Sequence, residues 1–346
     1  MRKTIEHHPV IGHLFVPRVK ARIPHEGGGY LIATNRSGFR CPHEFVAPRA
    51  AGKRRVLLFG DSFTAGDGVS NGYRYGDHLE KLVPGLEIYN FGIPGTGTDQ
   101  HYLAYREYAK GIEHDLVIIA MFVENIRRVG SRYRWAFTPE GDKKLYPKPF
   151  YTLEGGELRL GGVPVPKGAL PDDEAQNVDA EHIAKFERFP LLKQAWRKLK
   201  EHPRVEQVLT EYRVKERLQR LTGYQPVPEW DDPENPAVKT TLAILDHWLR
   251  EDGGPALVVP IPLHHHVLGF AGPNYRDVLR KAARRSRADF YDPLDDLLRY
   301  DAKAREDEFY FRADGHLTKR GHEVLAEHLA PVVRRILERD NPARSH

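Results

Sequence analysis

Apolar runs alternate with amphipathic stretches along most of the chain, and this alternation predicts an α/β fold with a parallel sheet covered on both faces. Short continuous apolar runs are typical of strands that are buried on both sides. Such runs predict strands at 56–59, 86–91, 115–122, 256–261 and 288–291. Apolar residues at helical spacing predict helices at 75–83, 102–110, 237–250, 274–287 and 318–338.

Two regions depart from this rhythm. The first fifty residues contain short β-like pieces, such as 29–34, between turn residues, and we expect a small N-terminal extension that packs on the main domain. Residues 131–233 interrupt the alternation for far longer than the roughly 15 residues that loops without structure of their own seldom exceed. We therefore expect an inserted α+β subdomain there, and a main domain formed by residues 51–130 and 234–346.

Within the insert, residues 150–153 and 158–160 predict a hairpin that turns through Glu154-Gly155-Gly156-Glu157. Proline-rich turns follow, and then charged helices from about 180 to 222.

Composition narrows the function classes. The chain has 346 residues, of which 40% are hydrophobic, so it can bury a sizeable core. Its single cysteine, Cys41, excludes an intrachain disulfide and a multi-cysteine zinc site. A net charge of +5 is weaker than the dense basic patch typical of nucleic-acid binding, so we expect no nucleic-acid partner.

The sequence also contains no apolar run that is typical of a signal peptide or of a membrane span. We therefore expect a cytoplasmic protein without a membrane span, and the patterns make no prediction of oligomeric state.

Two short motifs carry candidate chemistry. Gly-Asp-Ser-Phe-Thr-Ala-Gly at 60–66 directly follows the first buried strand, which places Ser62 at a carboxyl strand end, where open α/β sheets bind ligands. Asp314 and His316 stand just before the last helix and could supply a base with its orienting carboxylate. Taken alone, Gly60-Asp61-Ser62 is more typical of an ordinary turn with an N-cap, and a lone histidine is most often a surface or capping residue.

Together the two motifs resemble those of the GDSL/SGNH hydrolase superfamily, including a bacterial esterase subgroup. This family has four sequence blocks, and the other two match 90–95, with Gly95, and 123–126, with Asn125. The resemblance covers residues 56–125 and 234–338. It implies a three-layer α/β/α fold with a flavodoxin-like parallel sheet.

The resemblance also implies a serine hydrolase that needs no cofactor or metal. Ser62 would be the nucleophile, His316 the general base and Asp314 the group that orients the imidazole. The oxyanion hole would consist of the backbone N–H groups of Ser62 and Gly95 and the side-chain amide of Asn125. We expect a structural role for Asp61, whose carboxylate would tie down the turn.

The sequence differs from the family pattern in two places. The third block is usually Gly-X-Asn-Asp, whereas Glu124 precedes and Ile126 follows the asparagine here. The last block is more often Asp-X-X-His, whereas Asp314 and His316 are separated by a single residue.

Two further groups are candidates for substrate binding. His264 and His266 follow the strand at 256–261, and in an extended segment they would point to the same side. No carboxylate or cysteine at ligand spacing accompanies them, which favours substrate contact by one of them over a metal. Arg127 and Arg128 could form an anion-recognising rim, or a charged face paired with acids of the insert.

The first hypothesis is thus a serine esterase that removes a short acyl group from a small-molecule or saccharide ester, with the insert at 131–233 as a lid. The same residues would also serve an O-acyltransferase, in which a saccharide hydroxyl replaces water. A third hypothesis is a non-catalytic carbohydrate-binding module on the same scaffold.

Overall fold

The computed structural model describes residues 3–138, 141–178 and 223–339. The N-terminal extension contains two antiparallel hairpins, and the expected β-like piece at 29–34 is one of their strands. These strands are β1 (Ile5–His8), β2 (Gly12–Phe15), β3 (Lys20–Ile23) and β4 (Tyr30–Ala33).

Five of the later strands form a parallel sheet, and four form two antiparallel hairpins of the inserted region. They are β5 (Arg54–Gly60), β6 (Leu86–Gly92), β7 (Leu116–Phe122), β8 (Tyr133–Phe137), β9 (Lys143–Pro147), β10 (Phe150–Glu154), β11 (Glu157–Gly161), β12 (Ala256–Ile261) and β13 (Asp289–Phe290). The order in the parallel sheet is β13-β12-β7-β5-β6. This is the flavodoxin-like order, so the expected fold class is confirmed.

The helices surround this sheet. They are α1 (Ser62–Ala65), α2 (Tyr75–Leu82), α3 (Thr98–Ala104), α4 (Asn125–Val129), α5 (Pro236–Asp252), α6 (His264–Val267), α7 (Arg276–Arg285), α8 (Leu294–Leu297), α9 (Ala302–Asp307) and α10 (Lys319–Arg339). The helix predicted at 102–110 begins earlier, at Thr98, and its last turn widens into a π-helical turn at Tyr105–Ala109.

Side chains of the central strands alternate between two hydrophobic cores. In β5, Leu57 and Phe59 face the core that contains Trp248 of α5, whereas Val56 and Leu58 face the core that contains Leu329 of α10. Successive side chains of a strand point to opposite faces, so a strand with helices on both sides needs apolar residues at every position. This packing explains the continuous apolar runs in the sequence.

The described part of the inserted region packs against the main domain. The predicted hairpin is confirmed as β10 and β11, whereas the helices predicted between 180 and 222 lie outside the described residues. Lys148 forms a fully buried ion pair with Asp99 of α3 at 2.6 Å. Near the end of the insert, the buried indole of Trp230 donates to the carbonyl of Val123 at 2.9 Å.

The N-terminal extension is also anchored in the interior. Phe39 and Cys41 belong to the same core as Trp248. The guanidinium of Arg40 is fully buried and donates to the carbonyls of Gly66 (2.8 Å) and Val69 (2.7 Å). Within the described residues, none of the helices combines the length and apolar character that a membrane span requires.

Glycine ends both β5 and β6, where α1 lies directly against the sheet. A Cβ at Gly60 would lie 2.8 Å from Cβ of Thr64 and 2.9 Å from the carbonyl oxygen of Ala120. A Cβ at Gly92 would meet the backbone of α1, at 2.7 Å from the carbonyl carbon of Thr64. The turn that carries Ser62 therefore needs glycine at both strand ends.

Replacing Gly92 with alanine should displace this turn. Because the contact is with backbone, we expect Gly92→Ala to lower the free energy of unfolding by about 1–3 kcal/mol. A displacement of the Ser62 turn by about 1 Å would lower activity by about 10²-fold. Chemical denaturation and ester hydrolysis measure the two effects. Gly111→Ala is the matched control, since a Cβ there meets no atom within 4 Å. Equal stability of the two variants would contradict the close packing of α1 on Gly92.

Candidate active site

The turn after β5 is held by Asp61 and by the glycine that ends α1. Asp61 is the N-cap of α1, and its Oδ1 accepts from the backbone N–H of Phe63 at 3.1 Å. Gly66 ends the helix with φ +82°, in the left-handed region that glycine adopts without strain. Asp61 thus ties down the turn, as expected from the sequence, and Ser62 stands at its start.

The structure brings Ser62, His316 and Asp314 together in one hydrogen-bonded chain. His316 Nε2 lies 2.8 Å from Ser62 Oγ, and His316 Nδ1 lies 3.0 Å from Asp314 Oδ2. The backbone N–H of His316 donates to Asp314 Oδ1 at 2.9 Å. Gly315 between them has φ +73°, which allows the tight turn that the short Asp-X-His spacing requires.

The electrostatics of this candidate triad favour an ionised acid beside the imidazole. Burial of the ring lowers the pKa of His316, but the hydrogen bond to Asp314 and the nearby carboxylates of Asp67, Asp314 and Asp61 outweigh it, so the pKa is raised. Burial also acts to raise the pKa of Asp314, yet hydrogen bonds from His316 and His25 hold it far below its usual range. Asp314 is therefore a carboxylate that can orient the imidazole and stabilise its protonated form.

The candidate oxyanion donors also lie at this edge of the sheet. Gly60 and Gly92 are paired in register, so the loops that carry Ser62 and Gly95 leave adjacent strands at the same level. No hydrogen bond from the backbone N–H of Ser62 or Gly95 to another described residue is present. Gly95 has φ +73° and open space around its Cα, so a substrate oxygen could approach it closely.

Asn125 is held in a polar cluster with Asp61 and Arg128. Its Nδ2 donates to Asp61 Oδ2 at 3.1 Å, and its Oδ1 accepts from Arg128 Nη1 at 2.6 Å. The same Nη1 donates to Asp61 Oδ2 (2.9 Å) and to the carbonyl of Thr96 (3.1 Å). A guanidinium can only donate, so Arg128 keeps the amide oxygen on its own side and the NH₂ group towards Asp61.

Arg127 and Arg128 therefore have different surroundings. Arg127 donates to Glu229 of the insert at 2.8 Å and to Glu124 at 2.8 Å. This pairing matches the charged face with insert acids that the sequence left open as an alternative. Arg128 lies beside Asn125, and its side chain is 36% exposed.

The expected extended conformation at 264–266 is wrong. These residues form helix α6, because the backbone N–H groups of His266 and Leu268 bond back to the carbonyls of Leu263 and His264. The ring of His266 is buried against Tyr275, and burial lowers its pKa to about 4. His264 is half-buried with its ring 4.8 Å from that of Tyr310. Residues two positions apart in a helix point in roughly opposite directions, about 200° apart around the axis, so His264 and His266 do not share one side as they would in a strand. Substrate contact by one of the two histidines stays a prediction.

Sequence reasoning missed three residues of the N-terminal extension. His25 Nε2 lies 2.8 Å from Asp314 Oδ2, and the Glu26 carboxylate accepts from the backbone N–H of Ala313 at 2.9 Å. His13 Nε2 lies 2.7 Å from the carbonyl of Pro94, next to Gly95. No local pattern marks these residues, because each contact joins segments that are distant along the chain.

Among the described residues, His25, Glu26 and Asp314 form one group whose ligand atoms could hold a metal ion, all within 4.8 Å of one another. Each of these atoms already has a hydrogen-bond partner, however. Glu26 accepts from the backbone N–H groups of Ala313 and Asp314, and Asp314 accepts from two imidazoles. The cluster is thus satisfied as a hydrogen-bonded network.

A cleft of about 860 Å³ lies elsewhere, between the end of α4, β10 and α5. Its lining includes Ser131, Phe150 and Thr240 but none of the residues around Ser62. It therefore says nothing about the substrate of the Ser62 site.

The family model of the GDSL-like lipase/acylhydrolase family matches residues 58–324, which include all four sequence blocks. The chain belongs to this family. As a GDSL-family protein it is an acylhydrolase, and the expected resemblance is confirmed. A search of curated proteins finds no match.

Solved structures similar to this GDSL-family chain have low sequence identity. The lipase/acylhydrolase from Enterococcus faecalis is 14% identical, with 83% of this chain and 96% of that chain covered and a TM-score of 0.42. An acetyl xylan esterase, AlAXEase, is 13% identical, with 81% and 99% covered and a TM-score of 0.42. TesA is 12% identical, with 82% and 99% covered and a TM-score of 0.39.

The raised pKa of His316 predicts the pH profile. A general base must be neutral, so activity is present above this pKa and is lost as the pH falls through it. We expect kcat/KM for an ester to rise with pH along a single limb whose midpoint lies above the ordinary histidine value of 6.5. A profile measured between pH 5 and 9 tests this, and a midpoint below 6.5 would contradict the proposed surroundings of the ring.

Arg128 provides a second test. Without it, the Asn125 amide loses its fixed orientation and the Asp61 carboxylate, only 1% exposed, loses its cation. We expect Arg128→Ala to lower kcat by about 10²–10³-fold, the usual cost of losing one oxyanion donor. Arg280→Ala is the control, because Arg280 pairs with Asp277 on the distant helix α7. Unchanged kcat in Arg128→Ala would show that Asn125 needs no such support.

Proposed function

We propose that the chain is a serine esterase that hydrolyses a carboxylic ester through an acyl-enzyme on Ser62. The observation that carries the proposal is the continuous chain of contacts from Ser62 Oγ to His316 Nε2 (2.8 Å) and from His316 Nδ1 to Asp314 (3.0 Å). A serine hydroxyl becomes a nucleophile when a base of this kind accepts its proton.

In the first half of the reaction, Ser62 Oγ attacks the ester carbonyl carbon while His316 Nε2 takes the hydroxyl proton. Asp314 stabilises the imidazolium that forms. The negative oxygen of the tetrahedral intermediate accepts from the N–H groups of Ser62 and Gly95 and from Asn125 Nδ2. The carbon–oxygen bond to the alcohol then breaks, and His316 returns the proton to the leaving oxygen.

In the second half, water takes the place of the alcohol. His316 removes a proton from the water as it attacks the acyl carbon, and the same donors stabilise the second tetrahedral intermediate. Collapse of this intermediate releases the carboxylic acid, and His316 returns the proton to Ser62 Oγ.

Polar surroundings support a small or carbohydrate ester with a short acyl group. Arg128 lies at the Asn125 side of the site, and its side chain is partly exposed. The half-buried carboxylate of Asp67 is close enough to His316 to raise its pKa. A long acyl chain would have to desolvate such charged groups, which is costly.

The insert is proposed to border the site on the side of Asn125. Glu229 pairs with Arg127, and Trp230 donates to the carbonyl of Val123. Both contacts support a position of the C-terminal end of the insert next to the segment that carries Asn125.

Removal of the nucleophile tests the reaction. We expect Ser62→Ala to lower kcat/KM for p-nitrophenyl acetate by at least about 10³-fold, since the remaining groups cannot form an acyl-enzyme. Ser286→Ala is the matched control. Ser286 is the C-cap of α7, and its Oγ donates to Asp246 of α5. Intact-mass measurement with a fluorophosphonate should show one adduct on the wild type and none on Ser62→Ala.

The same assay separates the other hypotheses. Hydrolysis that persists in Ser62→Ala would contradict both enzymatic mechanisms. Acylation of Ser62 with turnover only in the presence of a saccharide acceptor would identify an O-acyltransferase. Saccharide binding by a wild-type protein that neither reacts with the fluorophosphonate nor hydrolyses esters would identify a carbohydrate-binding module.

A further inference from the structure

The turn between β3 and β4 lies directly against the loop that carries the candidate acid. This turn, residues 25–29, contacts the loop at residues 313–316 through two side chains. His25 Nε2 lies 2.8 Å from Asp314 Oδ2, and Glu26 accepts from the backbone N–H groups of Ala313 and Asp314 at 2.9 and 3.2 Å. The extension thus holds both the backbone and the carboxylate of the loop.

The contacts of His25 determine its tautomer. Its Nδ1 accepts from the backbone N–H of Gly27 at 3.2 Å, so this nitrogen carries the lone pair. The ring proton of the neutral imidazole is therefore on Nε2, which donates to Asp314.

The position of the His25 ring is equally constrained. The ring packs edge-on against Phe311 at 4.4 Å, and its side chain is only 11% exposed. Gly27 and Gly68 leave room for the rings of His25 and Phe311. A Cβ at Gly27 would lie 2.7 Å from Phe311, and one at Gly68 would lie 2.6 Å from Phe311 and 3.2 Å from His25.

Asp314 consequently accepts three hydrogen bonds. Its Oδ2 accepts from His25 and from His316 Nδ1, at 2.8 and 3.0 Å, and its Oδ1 accepts from the backbone of His316. Two imidazoles on one oxygen fix the direction of the carboxylate, and with it the ring that faces Ser62. They also divide the negative charge of the carboxylate between two N–H donors.

We propose that His25 is a positioning residue for the hydrolysis, which donates Nε2–H to Asp314 and through that carboxylate sets the orientation and basicity of His316. The proposal rests on the proposed function, since it concerns the same reaction. His25 itself touches neither Ser62 nor the reacting carbonyl, so its effect passes entirely through Asp314.

Several charged and titratable groups surround His316 and His25. His316 is influenced by Asp314 on its own loop and by Asp61 and Asp67 of the Ser62 turn. Apart from Asp314, His25 has Glu26 beside it in the chain and the ring of Tyr30 of β4 at 5.7 Å. Substitution of His25 leaves all of these groups in place.

Loss of His25 has a directional consequence. Asp314 would keep a larger share of its charge for His316, so the imidazolium becomes more favourable and the pKa of His316 rises. We also expect kcat to fall by about tenfold, the lower end of what loss of an orienting partner costs at metal sites. Less of the base is then neutral at low pH, so the loss of activity should be larger at pH 6 than at pH 9, with KM little changed.

The experiment compares His25→Ala, His25→Gln and the wild type. The glutamine amide can donate to Asp314 as Nε2–H does, so His25→Gln should restore most of kcat and return the pH profile towards that of the wild type. His7→Ala is the matched control, because His7 lies in the same N-terminal extension but contacts the carbonyl of Val165 in the inserted region. Thermal unfolding of each variant separates loss of fold from loss of positioning.

Two readouts keep this proposal distinct from the proposed function. The first is an NMR titration of the His316 ring, which needs no turnover, and the second is the pH profile of kcat and KM for an ester. A shifted titration in His25→Ala supports the proposal even if no ester is hydrolysed. An unshifted titration overturns it even if the wild type is an active esterase. Inhibition by Zn²⁺ that is reversed by EDTA and absent in His25→Ala would also overturn it, because the cluster would then be a metal site.

Discussion

The site depends on the close approach of the Ser62 turn to the ends of two parallel strands. Helix α1 lies so near the sheet that neither Gly60 nor Gly92 has room for a side chain. Because these two glycines are paired in register, the loops that follow them start side by side. The Ser62 turn and the Gly95 loop are therefore placed by backbone packing before any polar side chain contributes.

Polar contacts from the N-terminal extension then hold the Ser62, Gly95 and Asp314 loops. Arg40 donates to the carbonyls that close the Ser62 turn, His13 contacts the carbonyl next to Gly95, and His25 contacts Asp314. Each contact joins segments far apart in the chain, so the loops are fixed relative to one another. Although it lies outside the matched family region, the extension in this sense supports the candidate active site.

The third block lies at the same strand ends. Asn125 follows β7, the neighbour of β5, so its amide reaches the Asp61 carboxylate across the strand ends. A buried carboxylate needs a cation or several donors, and Arg128 supplies the cation one helical turn after Asn125. Asp61, Asn125 and Arg128 thus hold one another in a single polar cluster.

The sequence by itself determined the elements of the sheet and the positions of Ser62 and His316. Burial on both faces leaves continuous apolar runs, and a nucleophile turn at a strand end leaves a local motif, so both features can be recognised from neighbouring residues. Only the tertiary structure decided that Arg128 orients Asn125, that His25 binds Asp314, and that the predicted extended histidine run is a helix with His266 in the core. These outcomes depend on which distant segments pack together, and no short stretch of sequence carries that information.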